Sequence, residues 1–139
     1  MKKIATLAWG LCLTLTTYAQ TPFKCKLYDK ENRINLVINL YEESVPVPGL
    51  DMFGPLNGYM NGNIYGIWMI TSCKVKNEKE ATIRLSNELG SENQEIELSV
   101  ENDSIFRAKL KDGVSVKKVV NKKLVKIPKE LIFKKTADL

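Results

Sequence analysis

The chain has 139 residues, a formal net charge of +5 at neutral pH and no histidine. The missing imidazole excludes Ser-His-Asp and Cys-His catalysis and histidine-ligated zinc. The length suits one domain able to bury a core of its own.

Met1-Lys2-Lys3 is a short basic opening, Ile4 to Thr16 is apolar and uncharged, and Thr17-Tyr18-Ala19 ends in a small residue. This pattern predicts a secretory signal peptide, residues 1–19, cleaved after Ala19. The run is too short for a spanning helix, which needs about 20 apolar residues. The mature chain, residues 20–139, is expected to be periplasmic or secreted, with no transmembrane segment. A lipoprotein reading would acylate Cys12, but Leu11 stands where that cleavage wants a small side chain.

Cys25 and Cys73 remain in the mature chain. Two cysteines in an exported protein are expected to form a disulfide. Closing that loop of about 48 residues would stabilise the fold by roughly 4 kcal/mol in the chain-entropy picture.

After the leader, period-2 alternation dominates. Arg33 to Tyr41 places Ile34, Leu36, Ile38 and Leu40 on one face, with Val37 as the exception. Val45 to Gly62 is rich in proline and glycine and reads as a long loop, with room for a small hairpin. Ile64 to Ile70 is almost unbroken in its apolar character and reads as a central strand covered on both faces, with Trp68 in the core.

Ala81-Ile83-Leu85, Ile96-Leu98-Val100 and Phe106-Ala108-Leu110 are three further alternating rows. Val114, Val116 and Val120 suggest a fourth run, and Leu124 to Ile127 a fifth. Leu89-Gly90-Ser91, Asn102-Asp103 and Asp112-Gly113 read as tight turns, Asp-Gly being a strong hairpin signal. Pro128-Lys129-Glu130 fits either one helical turn or a kinked edge strand. The fold class expected is all-β: a single antiparallel meander forming a small up-and-down barrel or sandwich.

No phosphate-binding glycine motif is present. Glu42 and Glu43 point to opposite faces of a strand, and Glu95 and Glu97 lie on a solvated polar face. Asp51 is a lone acid, and Glu101 to Ser104 is too short for a calcium loop. The reading is therefore not an enzyme, with no cofactor and no metal site.

Asn77 to Asp103 carries eight acidic and two basic residues, whereas Ser104 to Leu139 carries eleven basic and three acidic. Acidic and basic strands lying side by side would neutralise each other through cross-strand pairs. The alternative is a basic surface centred on Lys117, Lys118, Lys122 and Lys123. Asp51, Met52, Phe53, Tyr59 and Tyr65 are the candidate binding residues, because exposed aromatics supply large contact area with a polar handle.

Gly66-Ile67-Trp68 resembles the G-x-W signature of lipocalins, which implies a ligand-holding barrel. In that family the motif lies on the first strand, whereas about 70 residues follow it here, too few for the rest of such a barrel. Phe23-Lys24-Cys25 and the alternating strand after it resemble the opening of periplasmic inhibitors of c-type lysozyme, which are small barrels acting through surface loops. Neither resemblance extends to functional residues.

The function expected is a non-enzymatic, exported β-domain of inhibitor or immunity type. It would bind another protein in the cell envelope or outside the cell, and not nucleic acid. The alternatives are a carrier of a small hydrophobic ligand, and a basic-surface binder of acidic glycan or anionic lipid.

Overall fold

A computed structural model describes residues 21–139; the predicted leader, its cleavage point and Cys12 lie outside the described residues. The described strands are β1 (Lys24–Asp29), β2 (Ile34–Asn39), β3 (Gly58–Gly62), β4 (Trp68–Val75), β5 (Glu80–Ser86), β6 (Asn93–Val100), β7 (Ile105–Lys111), β8 (Lys117–Val120), β9 (Lys123–Lys126) and β10 (Glu130–Asp138). The sheet closes into an antiparallel barrel in the order β1-β10-β7-β6-β5-β4-β3-β2, and β8 and β9 pair separately. Closure removes the exposed edges that an open meander would present to other chains.

Alternation sends one row of each strand inward. Leu27, Ile34, Leu36, Ile38, Met60, Ile70, Ile83, Leu85, Ile96, Phe106 and Phe133 are all fully buried in one cluster. Eight strands enclose a space that side chains can fill, and these rows fill it. Phe23 meets Phe106 edge to face, with centroids 6.0 Å apart.

A bulge in β4 between Ile70 and Ser72 shifts its register on β5, so that Ile70 pairs with Leu85 and Cys73 with Ile83. One extra residue thus lets Ile70 and Cys73, three positions apart, both face inward. Gly58 lies where β3 crosses close to β2: a Cβ there would stand 2.1 Å from the Val37 carbonyl oxygen.

Strand direction assigns the connections to two ends. The near end holds the start of β1, the loop 40–57, and the β4–β5 and β6–β7 turns. The far end holds the β1–β2 turn, loop 63–67, loop 87–92 and the long connection from β7 to β10, which contains the β8–β9 hairpin.

Ile64 to Ile70 is not a doubly covered strand: β4 begins at Trp68, and 63–67 is a loop with Tyr65 and Gly66 exposed. Trp68 is buried, as expected. Gly58–Gly62, read as loop, is strand β3, and the loop proper is 40–57, tied across by a bridge between Val45 and Leu56. That loop buries Val45 and Val47 and covers Val37, which explains the break in the alternation of β2.

Asp112-Gly113 does not close a hairpin within the barrel, because β7 pairs with β10 and not with β8. The runs at 114–127 leave the barrel wall altogether. Pro128-Lys129 leads into β10, an interior member of the closed sheet rather than an edge or a helical turn.

The Cys25–Cys73 bridge is not formed here: both are free thiols. They lie on β1 and β4, with β2 and β3 between them in the barrel. The Cys25 Sγ instead donates to the Pro22 carbonyl at 3.4 Å, and the Cys73 Sγ to the Leu40 carbonyl at 3.6 Å.

Candidate functional site

Three connections converge at the far end around a groove of about 450 Å³. Tyr65 comes from the β3–β4 loop, Leu89 from the β5–β6 loop, and Lys117 and Leu124 from the hairpin, with Trp68 and Ser115 beneath. Tyr65 is 64% exposed, Leu89 88% and Leu124 51%. These exposed apolar side chains are gathered from separate segments at one end of the barrel.

Each connection is held in place. The Tyr65 amide donates to the Lys117 carbonyl at 2.7 Å, and the Trp68 indole N–H donates to the Tyr65 carbonyl at 3.3 Å. The Glu88 carboxylate accepts the Ile67 amide at 3.1 Å, tying the β3–β4 loop to the β5–β6 loop. Asn87 Oδ1 accepts the amides of Ser91 at 2.9 Å and Glu92 at 3.2 Å. With Gly90 in the left-handed region at φ 74°, that turn lifts Leu89 to its tip.

Gln94 anchors the start of the third connection. Its Oε1 accepts the Ser115 amide at 2.7 Å, and its Nε2 lies 3.0 Å from the Glu95 carbonyl, 3.1 Å from Lys111 and 3.1 Å from Gly113. It is 1% exposed. It fixes the chain leaving β7 and so sets where the hairpin starts. The sequence carried one signal for this: Gln94 shares the parity of Ile96 and Leu98, so a polar side chain falls on an inward row.

The five candidate binding residues divide. Asp51, Met52 and Phe53 form a short 3-10 turn in loop 40–57, all exposed. Phe53 borders a second hollow, of about 570 Å³, whose opposite wall includes Leu89. Leu89 therefore stands between the two depressions. Tyr59 lies apart, half-buried beside Val37 and Val45, and burial raises its phenol pKa above the ordinary value. Tyr65 alone lies in the far-end groove, next to the basic residues that the sequence had set apart from it.

The charge asymmetry also divides. On the barrel wall the cross-strand reading holds: Arg84 pairs with Glu95 at 3.7 Å, Lys111 with Glu97 at 3.2 Å, and Arg107 with both Glu101 and Glu130. Among the described residues, Lys117, Lys118, Lys122, Lys123 and Lys126 of the hairpin make no ion pair.

A wider opening of about 690 Å³ at the near end is lined by opposed charges, including Lys135 and Asp138, which pair at 2.8 Å. Burial pushes the Cys25 thiol up to about 11 and raises Cys73 as well, so both favour the unreactive protonated form. Among the described residues, no group of three or more cysteines and carboxylates is placed to hold a metal ion. None of the described helices is long and apolar enough to cross a membrane. The chain matches no protein family, no curated protein and no solved structure.

Proposed function

We propose that this protein is an exported, non-enzymatic barrel that binds another protein through the far-end groove, in the manner of an inhibitor or immunity protein. One observation carries the reading. Tyr65, Leu89 and Leu124 reach the same groove from three different connections, remain exposed, and are backed by a rigid barrel. A preorganised scaffold limits the entropy lost on association, and exposed aromatic and aliphatic anchors are where binding energy concentrates. The carrier alternative draws no support from the interior, which the inward rows occupy.

The test is capture from cell-envelope and extracellular fractions by immobilised wild-type protein, compared with a Tyr65→Ala/Leu89→Ser variant and with a deletion of residues 50–57. The expected result is a partner retained by wild type and weakened at least about 30-fold in the double variant, the scale of a hot-spot loss. The loop deletion is expected to weaken it less, since Phe53 touches only the adjoining hollow. An unchanged partner set in the double variant would remove the groove from the account.

A further inference from the structure

We propose that the outer face of the β8–β9 hairpin docks on the anionic surface of a lipid bilayer. The proposal is independent of the groove, which lies on the hairpin's other face.

The register defines the two faces. Val119 stands opposite Leu124 and Lys117 opposite Lys126, while Lys118 stands opposite Val125 and Val120 opposite Lys123. Directly opposed residues share a face. Leu124 and Lys117 line the groove, so their face looks inward over it. The other face carries Lys118, Val120, Lys123 and Val125, a checkerboard of two ammonium groups and two valines, with Lys118 half-buried and the other three exposed. Val120 is 39% exposed and Val125 42%.

The ribbon is built to project. Its root is fixed by buried Val116 and Ile127, with the Ile127 amide donating to the Val116 carbonyl at 3.2 Å. Every residue of β9 is exposed. Asn121 and Lys122 both have positive φ, 51° and 66°, the backbone of a two-residue hairpin turn that continues the strand twist. Lys122 therefore sits at the tip.

Charge decides the sign of the partner. Gly113 to Lys129 contains six lysines and no acid, and the ribbon's own lysines are unpaired among the described residues. The valines decide its class. A soluble polyanion in water gives an exposed valine nothing, whereas a bilayer interface removes apolar surface from water. Flanking lysines can lay their aliphatic stems along that surface and hold their ammonium groups at the phosphates.

The test is flotation of the full-length protein with phosphatidylcholine vesicles, with and without about 30% phosphatidylglycerol. Binding is expected only to the anionic vesicles, and is expected to weaken steeply between about 0.05 and about 0.5 M salt. Lys118→Gln/Lys123→Gln should weaken it about 25-fold, near fivefold per lysine. Val120→Ser/Val125→Ser should weaken vesicle binding about tenfold while leaving dextran sulfate binding unchanged. Tyr65→Ala/Leu89→Ser should leave vesicle binding intact, which separates this proposal from the groove. Equal binding to both vesicle types, or no binding to the anionic ones, would overturn it. So would indifference to the valine substitutions, which would point to a soluble polyanion or an acidic protein instead.

Discussion

Replacing Gln94 with leucine tests whether a single buried amide positions the connections at the far end of the barrel. Leucine keeps most of the volume, so the cavity contribution is small and the loss is that of hydrogen bonds. Glu95 and Lys111 lie opposite each other in the β6–β7 pairing, and their carbonyls belong to strands whose ladder survives. Gly113 is exposed, so its carbonyl can recover water. The Ser115 amide, held at 2.7 Å by the Gln94 Oε1, is the group left poorest. Losing that bond and leaving its donor poorly solvated gives a destabilisation of about 2 kcal/mol. For a domain of this size that lowers Tm by about 8 °C. Circular dichroism melts measure the fall, and amide hydrogen exchange locates it: protection at Ser115 and through the hairpin should drop more than in β5 or β6. A loss below about 0.5 kcal/mol, with the Ser115 amide as protected as before, would refute the assignment of Gln94 as the anchor.

Three other perturbations follow from the same geometry. Gly58→Ala places a methyl group 2.1 Å from the Val37 carbonyl oxygen at φ 152°; a loss of more than about 3 kcal/mol or failure to fold is expected in denaturant titration. The Cys25 thiol, raised by burial from 9.0 to about 11 in the folded protein, should label with a thiol reagent only at the rate of unfolding. Because the unfolded thiol loses its proton first, stability should decline as pH rises above about 9. Hydrogen bonding from Arg107 holds Glu130 below its ordinary carboxylate pKa. Its contribution is thus present at neutral pH and lost as acid protonates Glu130 in the folded state, a small effect for so exposed a pair. NMR titration should find the Glu130 midpoint below 4.5, returning toward the ordinary value in Arg107→Ala.

Half-buried strands announce themselves, which is why β5, β6 and β7 were legible: one face meets the core and the other meets water, so the period-2 pattern survives in composition. The same logic misplaced Ile64 to Ile70. An apolar run covered on both faces and an apolar loop open to solvent have similar composition, and only the position of β4 separates them. β10 was obscured because Pro128 and the lysines of 129–135 resemble an edge, yet its buried Leu131 and Phe133 close the barrel. The groove was legible in fragments. Tyr65 and the lysines were visible separately, but the contact between Tyr65 and Lys117 depends on barrel closure. The role of Gln94 was hidden because one amide among glutamates looks like surface. The cysteine pairing rested on compartment and count, which carry no information about which strands stand between two thiols.

The arrangement is economical in physical terms. A barrel filled by its own side chains has no free edge, and its connections can carry exposed residues while a few of theirs, Leu40, Val116 and Ile127, complete the core. At the far end this chain uses that freedom twice, in loops that shape an apolar groove and in a ribbon that leaves the wall with its charges unpaired.

The most direct test of the binding claim is site-specific photocrosslinking. A benzoylphenylalanine at position 89 should give a discrete adduct with a partner protein in envelope extract, competed by excess wild-type protein but not by Tyr65→Ala/Leu124→Ser; the same group at position 74, on the opposite reach of β4, should give none. Equal adducts from both positions, or an adduct at 89 that the groove variant competes as well as wild type does, would contradict the account.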